Sequence, residues 1–177
     1  MHPALLEVVR RRILTAMQKQ NIGNAGEYYF AARLSAENFI ATITLGRAEK
    51  YDILALGPKG RSIRLSIKAQ LLGTSKSFPL SEKNEEGSSD DFYYVFIRLN
   101  EFKKEPDFWV IPSNVVCHVL KTSHTKWLKG HGKNGHVRNN SSLRKLPLVV
   151  PGSLAELYPE NWEDELRGYY KNIKQLV

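Results

Sequence analysis

Apolar residues recur four apart at Leu5, Val9, Ile13 and Met17, which places them on one helical face and predicts a first helix over residues 3–19. Asn21-Ile22-Gly23 then reads as an interruption. Asn24 followed by Glu27 has the form of an N-cap with a reaching-back carboxylate, so a second helix is expected to about Asn38. From Phe39 the period changes from helical to alternating. Phe39–Leu45, Tyr51–Leu56 and Ile63–Gln70 predict three strands, the last two joined by the hairpin turn Gly57-Pro58-Lys59-Gly60. Phe92–Leu99 and Phe108–Ile111 predict a fourth and a fifth, with Pro112-Ser113 opening a short helix through Leu120.

Two stretches lack such a period. Residues 73–91 hold Gly, Ser, Asn and five acidic residues with few apolar anchors, which predicts a loop over one sheet edge. Residues 121–145 hold seven Lys/Arg, no Asp or Glu, and three glycines, and read as a basic, loop-rich segment. Beyond it the charge reverses at Glu156, Glu160, Glu163, Asp164 and Glu165, before a closing helix around Trp162–Leu176.

Length and charge narrow the picture. The 177 residues suffice for one well-buried core and not for two ordinary domains, so a single domain over 1–177 is expected. A net charge of +8 favours a polyanionic partner over a neutral one. The lone Cys117 excludes an intramolecular disulfide and fits a reducing cytoplasm; within Val115–Leu120 it reads as a packing residue. Arg10-Arg11-Arg12 break the N-terminal apolar residues, so neither a signal peptide nor a membrane span is expected.

The candidate chemistry lies between residues 24 and 70. Aspartate is depleted from strands, yet Asp52 heads the apolar run Ile53–Leu56. In the next strand Arg64, Ser66, Lys68 and Gln70 project to one side, and a lysine in mid-sheet must snorkel or meet an anion. Glu27 shares a helical stripe with Ala31 and Leu34. A helix carboxylate, a strand-head carboxylate and a strand lysine are what metal-assisted phosphodiester hydrolysis requires: hard oxygen ligands for Mg²⁺ or Mn²⁺ beside a cation for the phosphate. Each residue also has a plainer reading, Glu27 as a capping-box residue, Asp52 as a turn terminator, and Lys68 as an ion-pair partner of either.

Gly26-Glu27, Leu34, Ala41–Gly46, Tyr51–Ala55 and Ser66–Gln70 together resemble the PD-(D/E)xK nuclease superfamily, of restriction-endonuclease-like fold. Phe92–Leu99 with Pro106–Ser113, and a tail of His124, Trp127-Leu128, Asn139 and Arg144, are similar to uncharacterised bacterial members, so the likeness covers about residues 20–145. It implies an α/β fold with a central mixed sheet of about five strands flanked by helices. It also implies Glu27 as the helix carboxylate near the metal, Asp52 as the bridging ligand, and Lys68 as the residue orienting water and phosphate. The carboxylate or glutamine normally two residues before the lysine is here Ser66, a poorer ligand, and Gln70 offers a carbonyl oxygen on the same strand face instead.

The leading expectation is a Mg²⁺- or Mn²⁺-dependent DNA endonuclease of restriction or defence type, of a size compatible with a homodimer. Lys121, His124, Lys126, Lys129, Lys133, Arg138, Arg144 and Lys145 are its candidate nucleic-acid contacts. Trp127 reads either as a base-stacking residue or as an anchor of the loop. Two other readings stand beside it: a nuclease-fold binding module that has lost catalysis, and a structural subunit serving a protein partner.

Overall fold

The computed structural model describes residues 3–44, 50–100, 103–132, 135–150 and 152–177, with side chains from residue 17 onward and at Thr15. Lys133, Leu45, Gly46 and the apolar face at Leu5, Val9 and Ile13 lie outside the described residues or side chains.

The two expected N-terminal helices are one. α1 runs unbroken from Pro3 to Ala36. Asn24 does not cap a helix start, because its Oδ1 accepts from Gln20 Nε2 one turn earlier at 3.1 Å. Ile22, Ala25, Tyr29, Phe30 and Leu34 pack as one stripe on the sheet, and that burial outweighs the ~1 kcal/mol cost of Gly in a helix interior. The helix ends where Asn38 adopts φ +63° and the Phe39 N–H returns to the Leu34 carbonyl at 3.0 Å.

The central sheet has five strands, β1 (Ile40–Ile43), β2 (Ile53–Leu56), β3 (Ser62–Leu71), β5 (Phe92–Leu99) and β6 (Asp107–Pro112), in the order β1-β2-β3-β5-β6. All neighbours are antiparallel except β3 and β5, so the sheet is mixed. On one face α1 and the C-terminal residues Ile173 and Leu176 cover Ile53, Ile63, Leu65, Val95, Ile97, Phe108 and Val110. On the other, Phe92, Tyr94, Phe96 and Ile111 meet Val116, Val119 and Leu120 of α2 (Ser113–Lys129). The fold is therefore a mixed α/β sandwich with helices on both sides of the sheet.

The second layer holds the elements that sequence periodicity missed. Within the expected loop 73–91, Ser77–Ser81 forms β4, and across the end of the expected loop-rich segment 121–145, Leu143–Pro147 forms β7; the two pair antiparallel as a separate ribbon. Their inward residues, Phe78, Leu80 and Leu146, are buried with Trp162, whose Nε1 donates to the Pro147 carbonyl at 3.0 Å. Pro79 is tolerated because it faces outward in a two-stranded ribbon with one free edge. α2 also runs nine residues past its expected end at Leu120, so the first part of the basic segment, to Lys129, is helical. The closing helix is shorter than expected: α3 spans Trp162–Tyr169. Cys117 is buried, and burial pushes its thiol up, which keeps it protonated. No helix among the described residues is long and apolar enough to cross a membrane.

Candidate active site

The second layer covers β5 and β6 but leaves β1 and β2 bare: Ile40, Leu54 and Leu56 are exposed on that face. Ser66, Lys68 and Gln70 of β3 stand at the boundary between covered and bare sheet, which is why a central strand carries polar residues there.

Asp52 lies at the point where β2 parts from β3. Its backbone N–H still donates to the Leu65 carbonyl at 2.8 Å, and its carbonyl accepts from the Thr44 N–H at 3.0 Å. One residue earlier the ladder has ended, so the Ile67 N–H has no β2 carbonyl to meet. The Asp52 side chain takes that place: Oδ2 accepts the Ile67 N–H at 2.5 Å and the Ser66 hydroxyl at 3.2 Å. Lys68 Nζ donates to Ser66 Oγ at 2.9 Å and to the Ile67 carbonyl at 3.3 Å, and lies 3.9 Å from Asp52 Oδ2. The described contacts of the Asp52 carboxylate all fall on Oδ2, and none is on Oδ1.

Glu27 arrives from α1. A Cβ on Gly26 would stand 2.5 Å from the Ala69 Cβ and 3.4 Å from Ile67 Cγ2, so only glycine lets the helix cross β3 this closely. The crossing sets the next residue, Glu27, into the field of both Asp52 and Lys68. Burial pushes its carboxyl up, the like charge of Asp52 adds to that, and Lys68 partly offsets it. The structure thus brings together Glu27, Asp52, Ser66 and Lys68. Gln70 is nearly buried two residues farther along β3, its amide donating to the Ser75 carbonyl at 3.1 Å, and no described hydrogen bond joins it to the other four.

A carboxylate that raises the cost of ionising a second one, with one oxygen outside the described hydrogen bonds, suits a divalent cation. Among the described residues no group of three or more His, Cys, Asp or Glu could hold a metal. Mg²⁺ needs no such group, since it commonly takes one or two carboxylates and keeps several waters. The donor set fits Mg²⁺ or Mn²⁺ better than a metal that prefers a closed protein cage.

The expected nucleic-acid contacts divide. Lys121, Lys129 and Lys145 are exposed. Lys126 is exposed with its Nζ on the Glu156 carbonyl at 3.0 Å. Arg138 and Arg144 depart from the expectation of free phosphate contacts. Arg138 donates to the Trp127 carbonyl at 2.7 Å and lies 4.9 Å over the Trp127 ring. Arg144 is buried, with its guanidinium on Glu85 and on the Ser141 and Leu143 carbonyls. His124 meets Asn140 Oδ1 at 2.8 Å and stacks on Trp127.

Two residues that periodicity passed over also bear on the site. Asn84, in the 3-10 turn Glu82–Glu85, donates to the Tyr94 hydroxyl at 3.1 Å, and Tyr94 stands beside Ser66 in the β3–β5 register. Only the acidic composition of residues 82–91, with Gly87 and two serines, hinted at a turn there.

No protein-family model matches the chain, and no curated protein matches it. Among solved structures the chain is similar to a bacterial homing endonuclease, at 15% sequence identity and a TM-score of 0.40, over 84% of this chain and 91% of that one.

Proposed function

We propose that this chain is a Mg²⁺-dependent nuclease of PD-(D/E)xK type that hydrolyses phosphodiester bonds in DNA. The observation that carries the reading is the position of Asp52. Its carboxylate is locked by a backbone N–H at the divergence of two strands, within ion-pair reach of Lys68 and coupled to Glu27. Glu27 and Asp52 Oδ1 would hold the metal. A bound Mg²⁺ supplies charge neutralisation at the phosphate and a more acidic water. Lys68 places a positive charge beside the scissile phosphate, and Ser66, bridging Lys68 and Asp52, holds both in place.

Supercoiled plasmid incubated with Mg²⁺ or Mn²⁺ tests this. Cleavage by the native chain, lowered about 10²-fold or more by Lys68→Ala, supports it. Intact plasmid with both metals, under conditions where the protein is folded, overturns it.

A second reading, a nuclease fold that binds nucleic acid without cutting it, is favoured by one observation. Ser66, only 4% exposed, stands where the superfamily pattern has a ligand, and its hydroxyl closes Lys68 onto Asp52. It predicts salt-sensitive binding with no Mn²⁺-dependent change in thermal stability.

A further inference from the structure

A pocket of about 250 Å³ lies apart from the Asp52 cleft, between the C-terminal half of α2, β7 and the 3-10 turn at residues 152–157. Its walls include the parallel rings of His124 and Trp127, whose centroids are 5.5 Å apart at 19°, together with Tyr158, Leu143 and Leu154. Leu143 is 51% and Leu154 38% exposed, so the hydrophobic core does not explain them. Hydroxyls of Ser123 and Ser141 and the Lys145 side chain supply polar groups among these flat, apolar surfaces.

Charge separates this pocket from its neighbour. No carboxylate lines it; its charged members are Arg144 and Lys145, with His124 beside them. The adjoining groove sets Glu156, Glu160, Glu163 and Asp164 against Lys126 and Arg167, so its carboxylates outnumber its cations. A polyanionic strand is therefore drawn to the first and turned away from the second. A chain of contacts runs from the pocket toward the Asp52 site: Arg144 in its wall binds Glu85, whose neighbour Asn84 donates to Tyr94, the register partner of Ser66.

We propose that this pocket takes one unstacked nucleobase of a single-stranded or locally opened nucleic acid, held among His124, Tyr158, Leu143 and Leu154, while Lys145 and its neighbours meet the backbone. Flat aromatic and aliphatic walls with a few hydroxyl and amine groups are how extruded or unpaired bases are held. The inference rests on nucleic acid being the ligand, as in the proposed function.

The test uses the full chain in EDTA, with three DNA probes: a single strand, a fully paired duplex, and a duplex with one unpaired base. Each carries a fluorophore for anisotropy, and a 2-aminopurine stands at the unpaired position. The expected result is tighter binding of the single-stranded and unpaired probes than of the duplex, with a change in 2-aminopurine fluorescence on binding. Leu154→Trp, which fills the pocket from a partly exposed turn, and Tyr158→Ala, which removes a wall, are each expected to weaken those two probes about tenfold. Duplex affinity should stay within about twofold. Folded variants that bind all three probes as the native chain does, or lose all three equally, overturn the pocket assignment alone. Native protein that binds none of the probes at low salt overturns this inference and the proposed ligand class together.

Discussion

Asp52 acts on Ile67 as a missing strand would: its Oδ2 accepts the Ile67 N–H at 2.5 Å where β2 has turned away from β3. One carboxylate oxygen thereby completes the sheet, and under the proposed function the other would hold the metal. These two roles are separable by substitution. Asp52→Ala leaves the Ile67 N–H without its acceptor and is expected to destabilise the fold by about 1–3 kcal/mol. Asp52→Asn keeps an oxygen acceptor and should cost much less. Both are expected to lose Mn²⁺ binding and cleavage, and urea denaturation alongside a plasmid assay checks the split.

Gly26 makes an unusual helix prediction. Gly→Ala inside a helix ordinarily stabilises by about 0.5–1 kcal/mol. Here the new methyl would stand 2.5 Å from the Ala69 Cβ, so Gly26→Ala should instead destabilise by about 1–3 kcal/mol. Adding Ala69→Gly should recover part of the loss, and a denaturant double-mutant cycle would register that coupling.

Glu27 sets a trade between stability and chemistry. Its folded-state pKa lies above the ordinary 4.5, chiefly through burial and then through the charge of Asp52. A carboxyl shifted this way costs no stability below its unfolded pKa, and the cost of ionising it grows as pH rises through the folded value. Glu27→Gln should accordingly raise the melting temperature at pH 7 to 8 in EDTA, and leave it little changed at pH 4. Under the proposed function Mn²⁺ should stabilise the native chain, and the same variant should lose that stabilisation. Melting curves at two pH values, with and without Mn²⁺, measure both effects.

Asp91 behaves in the opposite sense. Arg64 grips both its oxygens at 2.8 and 3.0 Å, Ser89 adds a third bond, and its carboxyl is lowered to about 2. A depressed carboxylate stabilises fully above its unfolded pKa near 3.8 and loses that contribution as pH falls toward 2. Both partners are well exposed, which limits the pair to under about 1 kcal/mol. Asp91→Asn should therefore be slightly less stable than the native chain at pH 7, and the gap should close between pH 4 and 2 in acid-titrated melts.

Salt dependence should be shallower than the composition of residues 121–145 suggests. Arg138 and Arg144 are engaged internally, which leaves Lys121, Lys129 and Lys145 as exposed cations of that segment without a described internal partner. If these three meet duplex phosphates, log Kd against log salt should have a slope of about 3 in magnitude. Removing Lys145 should lower it by about one, whereas Arg144→Lys should act on stability by loosening the contact with Glu85.

Much was readable from the chain alone. The alternation in Ile63–Gln70 and the nearly unbroken apolar run Phe92–Leu99 identified two central strands, because each buries one or both faces and local pattern records burial directly. The oddity of Asp52 at the head of an apolar run, and of Lys68 inside one, was legible for the same reason, since neither satisfies the pattern around it. Glu27 was found on its helical stripe although the capping role expected of it does not exist.

What pattern could not supply came from contacts between distant segments. β4 and β7 lie more than sixty residues apart, and each is too short, too serine-rich or too basic to read as a strand until it pairs with the other. Arg144 looked like a phosphate contact and became a buried partner of Glu85, because charge is visible in sequence while burial is not. The continuity of α1 was likewise decided by tertiary packing, which overrode the local weakness at residues 21–24. By itself the sequence determined the strands of the central sheet, the residue types of the candidate site and the positive charge. Tertiary structure decided that Gly26 lets Glu27 reach Asp52, that Ser66 bridges rather than stands alone, and that the basic segment encloses a pocket, because each depends on a distance across the fold.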